Sequence, residues 1–82
     1  MILNTMRKLS LIQLKENQKA KVLEISGGKG LQHRMMSMGI YPGGEITKLS
    51  HFALRGPVTV RVGRSVLALG HGVAAKIIIE IE

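Results

Sequence analysis

The chain has 82 residues, of which 45% are hydrophobic and 21% are charged, and this composition is typical of one small globular domain. Cysteine is absent, which excludes disulfides and thiolate metal sites. Twelve lysines and arginines against five acidic residues give a net charge of +7. That excess favours an anionic partner, which could be nucleic acid, a membrane surface or an acidic protein, although the charge could also serve solubility alone.

The first half of the chain predicts a helical turn, a strand and a helix. Residues 9–14 alternate between apolar and polar side chains over about one helical turn, and residues 20–25 are typical of a strand. Glycines at 27, 28 and 30 then interrupt the pattern. Residues 31–38 predict a helix, because Leu31, Met35 and Met38 fall on one helical face.

The end of this helix is predicted by the residues that follow it. Gly39 suits the left-handed position after a helix, which places Ile40 against Met35. Residues 41–44, Tyr-Pro-Gly-Gly, match a type II turn. The methionines at 35, 36 and 38 are therefore interpreted as packing residues and not as metal ligands, since thioethers suit mainly soft ions.

The second half of the chain predicts four strands, over residues 45–50, 58–62, 65–69 and 77–82. The pair Gly63-Arg64 is typical of a two-residue hairpin loop. Residues 70–72 are expected to interrupt the regular secondary structure before one weak helical turn at 73–76. Five short strands with one inserted helix predict a mainly β fold, in which the strands form a small closed barrel without free edges. The whole chain, residues 1–82, is predicted to be one domain. No apolar run reaches the roughly 20 residues of a membrane helix, and no signal peptide is expected.

No enzyme site and no cofactor site is predicted. Without Cys or Asp, the usual triads and carboxylate pairs cannot be assembled, although Ser and His remain. The Gly-Gly-Lys-Gly segment at 27–30 lacks the spacing of a phosphate loop and favours a strand-to-helix turn. The histidines at 33, 51 and 71 have no short-range ligand spacing, so no metal site is predicted, although folding could still bring them together.

A protein contact is indicated by residues 50–56. This segment carries Phe52 and Leu54 beside Arg55, and interface centres favour an apolar anchor next to an arginine. The alternative is that Phe52 or Leu54 closes one end of the barrel. Tyr41 and Phe52 are the only aromatic residues, which argues against a single-stranded nucleic-acid binder, because such proteins stack bases on several rings.

The chain resembles the FeoA family of ferrous iron transport accessory proteins. The resemblance rests on the order of RMMSMGIYPGGEI at 34–46, GPVTVRVGRSVLAL at 56–69 and AAKIIIEI at 74–81, preceded by LSLIQLKENQKAKVLEI at 9–25. Two positions depart from the family pattern. Glu16-Asn17 stands where Pro-Gly is usual, and Gly70-His71-Gly72 replaces a more polar stretch, so the last helical turn is expected to be loose.

The resemblance implies an SH3-like β-barrel that acts in the cytosol beside the membrane ferrous iron transporter, whose cytosolic GTP-binding domain is the expected partner. The implied role is non-catalytic. We predict that Phe52, Leu54 and Arg55 anchor the partner and that Arg61 and Arg64 add charge, with an anionic membrane surface as a further partner. Two alternatives remain at this point, a nucleic-acid-binding barrel and an adaptor that responds to a divalent transition metal bound by histidines.

Overall fold

The computed structural model describes residues 6–51 and 55–81 of the chain. These residues form strands β1 to β6, which span Arg7–Ser10, Lys19–Ile25, Glu45–His51, Val58–Val62, Ser65–Leu69 and Ile77–Ile81. A 3-10 turn, Leu11–Gln13, follows β1. Helix α1, Lys29–Ser37, lies between β2 and β3, and helix α2, His71–Ala75, lies between β5 and β6.

All neighbouring strands pair antiparallel in the order β1-β6-β2-β3-β4-β5. Register shifts lie between Val22 and Glu24 in β2 and between Lys48 and Ser50 in β3. Such irregularities bend a sheet and increase its twist. The predicted mainly β fold with an inserted helix is confirmed. The prediction that the barrel has no free edges was wrong, because β1 and β5 each have one paired neighbour among the described residues.

Strand β1 was not predicted, and tertiary pairing explains why. Its sequence, Arg-Lys-Leu-Ser, lacks the apolar alternation of a half-buried strand, and it forms because it pairs with β6. The predicted helical turn at 9–14 is confirmed only for residues 11–13. That turn carries a capping box, in which the Ser10 side chain accepts from the Ile12 N–H and the Gln13 side chain accepts from the Ser10 N–H.

The core lies on the inner face of the sheet, where alternate side chains of β2, β4 and β6 point. α1 contributes Met35, and α2, which packs against the 3-10 turn, contributes Ala74. The buried apolar side chains are Leu11, Leu14, Ala20, Val22, Ile25, Met35, Ile40, Ile46, Val58, Val60, Leu69, Ala74, Ile77 and Ile79.

The end of α1 has the hydrogen bonds of a Schellman motif, as its sequence predicts. The Ile40 N–H donates to the Met35 carbonyl over 2.8 Å, and the Gly39 N–H donates to the Met36 carbonyl over 3.0 Å. Gly39 has φ 91°. The type II turn at 41–44 is also confirmed, because Gly43 has φ 92° and the Gly44 N–H donates to the Tyr41 carbonyl over 3.0 Å.

Replacing Gly39 with alanine should lower the free energy of unfolding by about 1–2 kcal/mol. An alanine would be held at a positive φ, and its Cβ would lie 3.3 Å from Val62 Cγ1. Urea denaturation measures the change, with Gly30→Ala as the matched control. Gly30 lies inside α1 with no atom within 4 Å of a new Cβ, so that variant should gain about 0.5–1 kcal/mol. Equal effects of the two substitutions would contradict the assigned helix end.

Helix α2 starts earlier than its sequence suggests. The predicted interruption of regular secondary structure at residues 70–72 is not observed. Gly70 is the N-cap of α2 and His71 is its first helical residue. The Ala74 N–H donates to the Gly70 carbonyl over 2.9 Å. Ala74 is fully buried, so packing offsets the weak helix propensity of this glycine-containing segment.

A buried lysine joins β3 to the 3-10 turn and to the residue that follows it. Lys48 is only 3% exposed, and its Nζ donates to the carbonyl oxygens of Ile12 and Leu14 over 2.8 and 2.7 Å. Burial lowers the pKa of Lys48, and the carboxylate of Glu16 opposes this shift. The backbone connects the same regions, since the Asn17 N–H donates to the Lys48 carbonyl over 2.6 Å.

The turn at Asn17 adopts the left-handed conformation that its sequence allows. Asn17 has φ 65°, a region that asparagine enters more readily than most residues. The Gln18 N–H donates to the Lys15 carbonyl over 3.1 Å and closes the turn. Within residues 6–51 and 55–81, the structure contains no helix long and apolar enough to cross a bilayer.

Candidate protein-interaction surface

The outer face of the sheet carries a row of side chains that crosses four strands. The register pairs Lys19 of β2 with Thr47 of β3, Thr47 with Arg61 of β4, and Arg61 with Val66 of β5. Residues that are directly opposite in neighbouring strands share a face of the sheet. Lys19, Arg61 and Val66 are exposed and Thr47 is half-buried. We call these four residues the outer row.

A groove of about 690 Å³ lies along three residues of the outer row. Lys19, Thr47 and Arg61 line it, together with Tyr41 from the turn after α1 and Gly63 from the β4–β5 hairpin. Tyr41 is 47% exposed. The groove therefore combines a basic side chain from the sheet with an aromatic ring from a turn, and tyrosine and arginine are residues that interface centres favour.

Tyr41 is positioned by the turn that carries it. A Cβ added to Gly44 would lie 3.2 Å from both Tyr41 Cε1 and the Tyr41 carbonyl oxygen, so the ring lies close over the glycine. The turn is closed by the hydrogen bond from the Gly44 N–H to Tyr41. Pro42 restricts the backbone of the same turn, and Gly43 adopts the positive φ that the turn requires. The aromatic ring is thus held beside the sheet before any partner arrives.

The charge of the groove is mixed but mainly basic. Glu45 and Lys19 both line it, and their side chains approach to 3.8 Å between Oε1 and Nζ. Both side chains are about 70% exposed, at 71% and 69%, so this ion pair contributes little to stability. Arg61 has no ion pair among the described residues. Its guanidinium is therefore available to a carboxylate of a partner.

Three of the five predicted contact residues can be located, and they are distributed along and beyond β4. Phe52 and Leu54 lie outside the described residues. Arg55 is exposed in the turn before β4, Arg61 is exposed on β4, and Arg64 is exposed in the hairpin turn after it. Arg55 and Arg64 therefore lie beyond opposite ends of a five-residue strand, which spans roughly 13 Å between its ends.

The sequence did not predict that Lys19, Tyr41, Thr47 and Val66 would join Arg61 at one surface. These residues are distributed over positions 19 to 66. The strand register aligns Lys19, Thr47, Arg61 and Val66, and Tyr41 joins the first three in lining the groove. The pairing of Arg61 with Val66 could have been predicted from the local sequence. A two-residue loop at Gly63-Arg64 determines which residues lie opposite each other across the hairpin. No comparable local signal links β2 to β3.

The methionines take the structural roles that were predicted for them, but the predicted turn at 27–30 is confirmed only for Gly27 and Gly28, because Lys29 and Gly30 already belong to α1. Met35 is fully buried, Met38 packs against the core, and Met36 is 56% exposed. Gly27 and Gly28 connect β2 to α1, and Gly27 has φ 134°. The Gln32 side chain donates to the Gly27 carbonyl over 3.3 Å and supports this connection.

Two of the three histidines can be located. His33 is exposed on α1, and His71 is half-buried at the start of α2. The side chain of His51 lies outside the described part of the chain. Among the side chains that the structure does describe, no three His, Asp or Glu residues are grouped so that they could hold a metal ion.

Comparison with known proteins identifies the family. The FeoA domain model matches residues 9–81 of this chain. A candidate Fe(2+) transport protein A of Methanocaldococcus jannaschii is 35% identical over 66 residues, which cover 80% of this chain and 78% of the relative.

Solved structures agree with the same family and fold. A crystal structure of an iron uptake regulatory protein, FeoA, superposes with a TM-score of 0.83 and 28% identity, covering 92% of this chain and all of that one. The zinc complex of FeoA from Stenotrophomonas maltophilia, described as an SH3 domain protein, has a TM-score of 0.74 and 20% identity, covering 87% and 88% of the two chains. The fold is therefore SH3-like, and the chain belongs to the FeoA family of ferrous iron transport accessory proteins.

Proposed function

We propose that this FeoA protein acts in the cytosol as a non-catalytic regulator that binds the membrane ferrous iron transporter through that transporter's GTPase domain. Family membership supports a role in ferrous iron transport. The observation that carries the contact is the groove on the outer face that both Arg61 and Tyr41 line. This arrangement suits an acidic and partly apolar protein surface.

Electrostatics supports the same kind of partner. The chain carries a net charge of +7, and an excess of one sign accelerates encounter with a surface of the opposite sign. A membrane transporter presents its cytosolic domain near anionic lipids, which attract a basic domain to the same place. Steering by net charge brings the protein to the membrane, and the groove then provides the specific contact.

Replacing Arg61 with glutamate should weaken binding to the isolated GTPase domain by about tenfold or more, because the substitution places a like charge opposite an acidic face. Isothermal titration calorimetry at physiological salt, with GDP and with a GTP analogue, measures the affinity. The control is Lys29→Glu, which makes the same charge change at an exposed position of α1 and should change affinity by less than about threefold.

The remaining predicted anchors are compared in the same titration. Phe52→Ala and Arg55→Ala should weaken binding if residues 50–56 form the contact, whereas Arg61→Glu alone should do so if the groove forms it. Equal loss from Lys29→Glu and Arg61→Glu would mean that only net charge matters and would contradict the groove. No binding in either nucleotide state would contradict the proposed contact with the GTPase domain.

A nucleic-acid-binding role is the competing function that the net charge of +7 supports. It predicts binding to oligonucleotides that falls steeply as salt is raised, because counterions are released from the phosphates. The proposed function predicts no such binding at physiological salt. The metal-responsive alternative predicts that anaerobic Fe²⁺ changes the affinity for the GTPase domain, and an unchanged affinity would exclude it.

A further inference from the structure

The two edges of the sheet differ in how they are protected from pairing with other strands. Edge strand β1 presents the exposed cations Arg7 and Lys8, and charged residues commonly prevent edge-to-edge association. Edge strand β5, Ser-Val-Leu-Ala-Leu, contains neither a charged residue nor a proline. Val66 of β5 is 56% exposed. Within residues 6–51 and 55–81, one edge of the sheet is therefore protected by charge and the other is open and apolar.

The hairpin register shows which backbone groups β5 presents at its open edge. Val62 and Ser65 flank the two-residue loop and are opposite each other, and the closing pair of such a hairpin exchanges hydrogen bonds. Hydrogen-bonded pairs alternate along an antiparallel ladder. The N–H and C=O groups of Val66 and Ala68 therefore point away from β4, toward the outside of the sheet.

We propose that β5 is a docking edge for an extended segment of a partner protein in which acidic and β-branched residues alternate. The backbone of that segment would pair with Val66 and Ala68 and so add a strand to the sheet, a recognised mode of peptide recognition. The outer face beside this edge carries Arg61, directly opposite Val66, and Arg64 follows in the hairpin turn. A strand added beside β5 would lie about 10 Å from β4. The side chain of Arg61 on β4 and a glutamate side chain on the added strand can together span that distance.

Charge distinguishes this occupant from a second copy of the chain. Pairing β5 with β5 of another copy would bring together two proteins that each carry +7, which opposes association. An acidic segment is attracted by the same charge, and its carboxylates match Arg61 and Arg64 in sign. Docking at β5 is independent of the proposed transporter contact, because it requires a segment of this chemistry and not a particular partner protein.

The test titrates the intact protein with the peptide Thr-Glu-Val-Glu-Val-Glu-Thr, whose two termini are chemically blocked. Binding is measured by NMR of the protein's backbone amides and by calorimetry. The amide signals of Val66 and Ala68 should shift and become protected from exchange. Lysine in place of each glutamate should weaken binding by about tenfold or more. Of two peptides that are N-methylated on alternate residues, one should bind as before and the other should not, because only one set of amides faces β5.

Protein variants separate backbone pairing from side-chain contact. Val66→Pro removes the outward N–H and leaves the ladder to β4 intact, so it should abolish peptide binding, whereas Val66→Thr keeps the N–H and should retain it. If the proline variant does not fold, the N-methylated peptides still decide the matter. No binding of the acidic peptide, equal binding of both N-methylated peptides, or a dimer that Val66→Pro dissociates would each overturn the proposal.

Discussion

Replacing Lys48 with methionine should lower the free energy of unfolding by about 2–4 kcal/mol. The Nζ of Lys48 donates to the carbonyl oxygens of Ile12 and Leu14 at the end of the 3-10 turn. Methionine fills a similar volume but donates nothing, so two carbonyl groups lose their partner in a buried place. Urea denaturation at neutral pH measures the change.

The matched control for this prediction is Lys21→Met. Lys21 lies on β2 of the same sheet and is exposed, so its loss should change the free energy of unfolding by less than about 0.5 kcal/mol. A Lys48→Met variant as stable as the parent protein would show that solvent or a backbone shift satisfies the two carbonyl groups. That result would contradict the assigned role of the lysine as a connection between β3 and the 3-10 turn.

The same lysine makes stability depend on pH in a defined direction. Burial lowers the pKa of Lys48 in the folded state below the ordinary value of 10.5. Between those two pKa values the unfolded chain holds a proton that the folded protein has released, so stability rises with pH in that window. The contribution is lost as pH falls through the folded pKa. A neutral amine still has two N–H groups, enough for both carbonyl oxygens.

The stability difference between the parent protein and Lys48→Met should therefore grow as pH is raised from neutrality toward 10.5. Urea denaturation of both proteins across that range isolates the effect, because the other titrating groups are common to the pair. A difference that stays constant or shrinks with pH would mean that burial does not lower the pKa of this lysine.

Replacing Met35 with alanine should have the other large effect, a loss of about 2–5 kcal/mol. Met35 of α1 is fully buried in the core. Its truncation would leave a cavity, and the core of an 82-residue domain is small. An entire domain of this length is stable by about 4–12 kcal/mol. The variant should therefore unfold at a much lower urea concentration than the parent protein.

Met36→Ala is the matched control, since it removes the same side chain from the next position of the helix. Met36 is 56% exposed, so the expected change is within about 0.5 kcal/mol. The pair also tests the interpretation of the methionine cluster. If both substitutions were equally mild and both altered the binding of a soft metal ion, the methionines would be ligands and not packing residues.

The features of the fold that were predictable from sequence have local chemical causes. The end of α1 follows from Gly39, because few other residues tolerate a positive φ there, and the turn at 41–44 follows from proline and glycine at fixed offsets. The β4–β5 hairpin follows from Gly63 at the first loop position, where φ is 60°. The family resemblance rested on the order of the motifs that contain these turns, and it was confirmed by the FeoA match over residues 9–81.

The features that were missed depend on partners distant in the chain. Strand β1 exists because β6 pairs with it, and α2 begins at His71 because packing around Ala74 outweighs a poor local propensity. The burial of Lys48 requires two carbonyl oxygens that lie 34 and 36 residues earlier. Periodicity within one segment cannot report any of these contacts.

The sequence by itself determined the turns, the helix end, the hairpin and the basic charge, since each is a property of a few neighbouring residues or of composition. Only the tertiary structure decided that Arg61 lines one groove with Tyr41 and lies opposite Val66, and that β5 is an edge strand among the described residues. The reason is that strand order and register arise from the burial of one face of the whole sheet. The surfaces proposed for binding therefore depend on pairing between strands that lie far apart in the sequence.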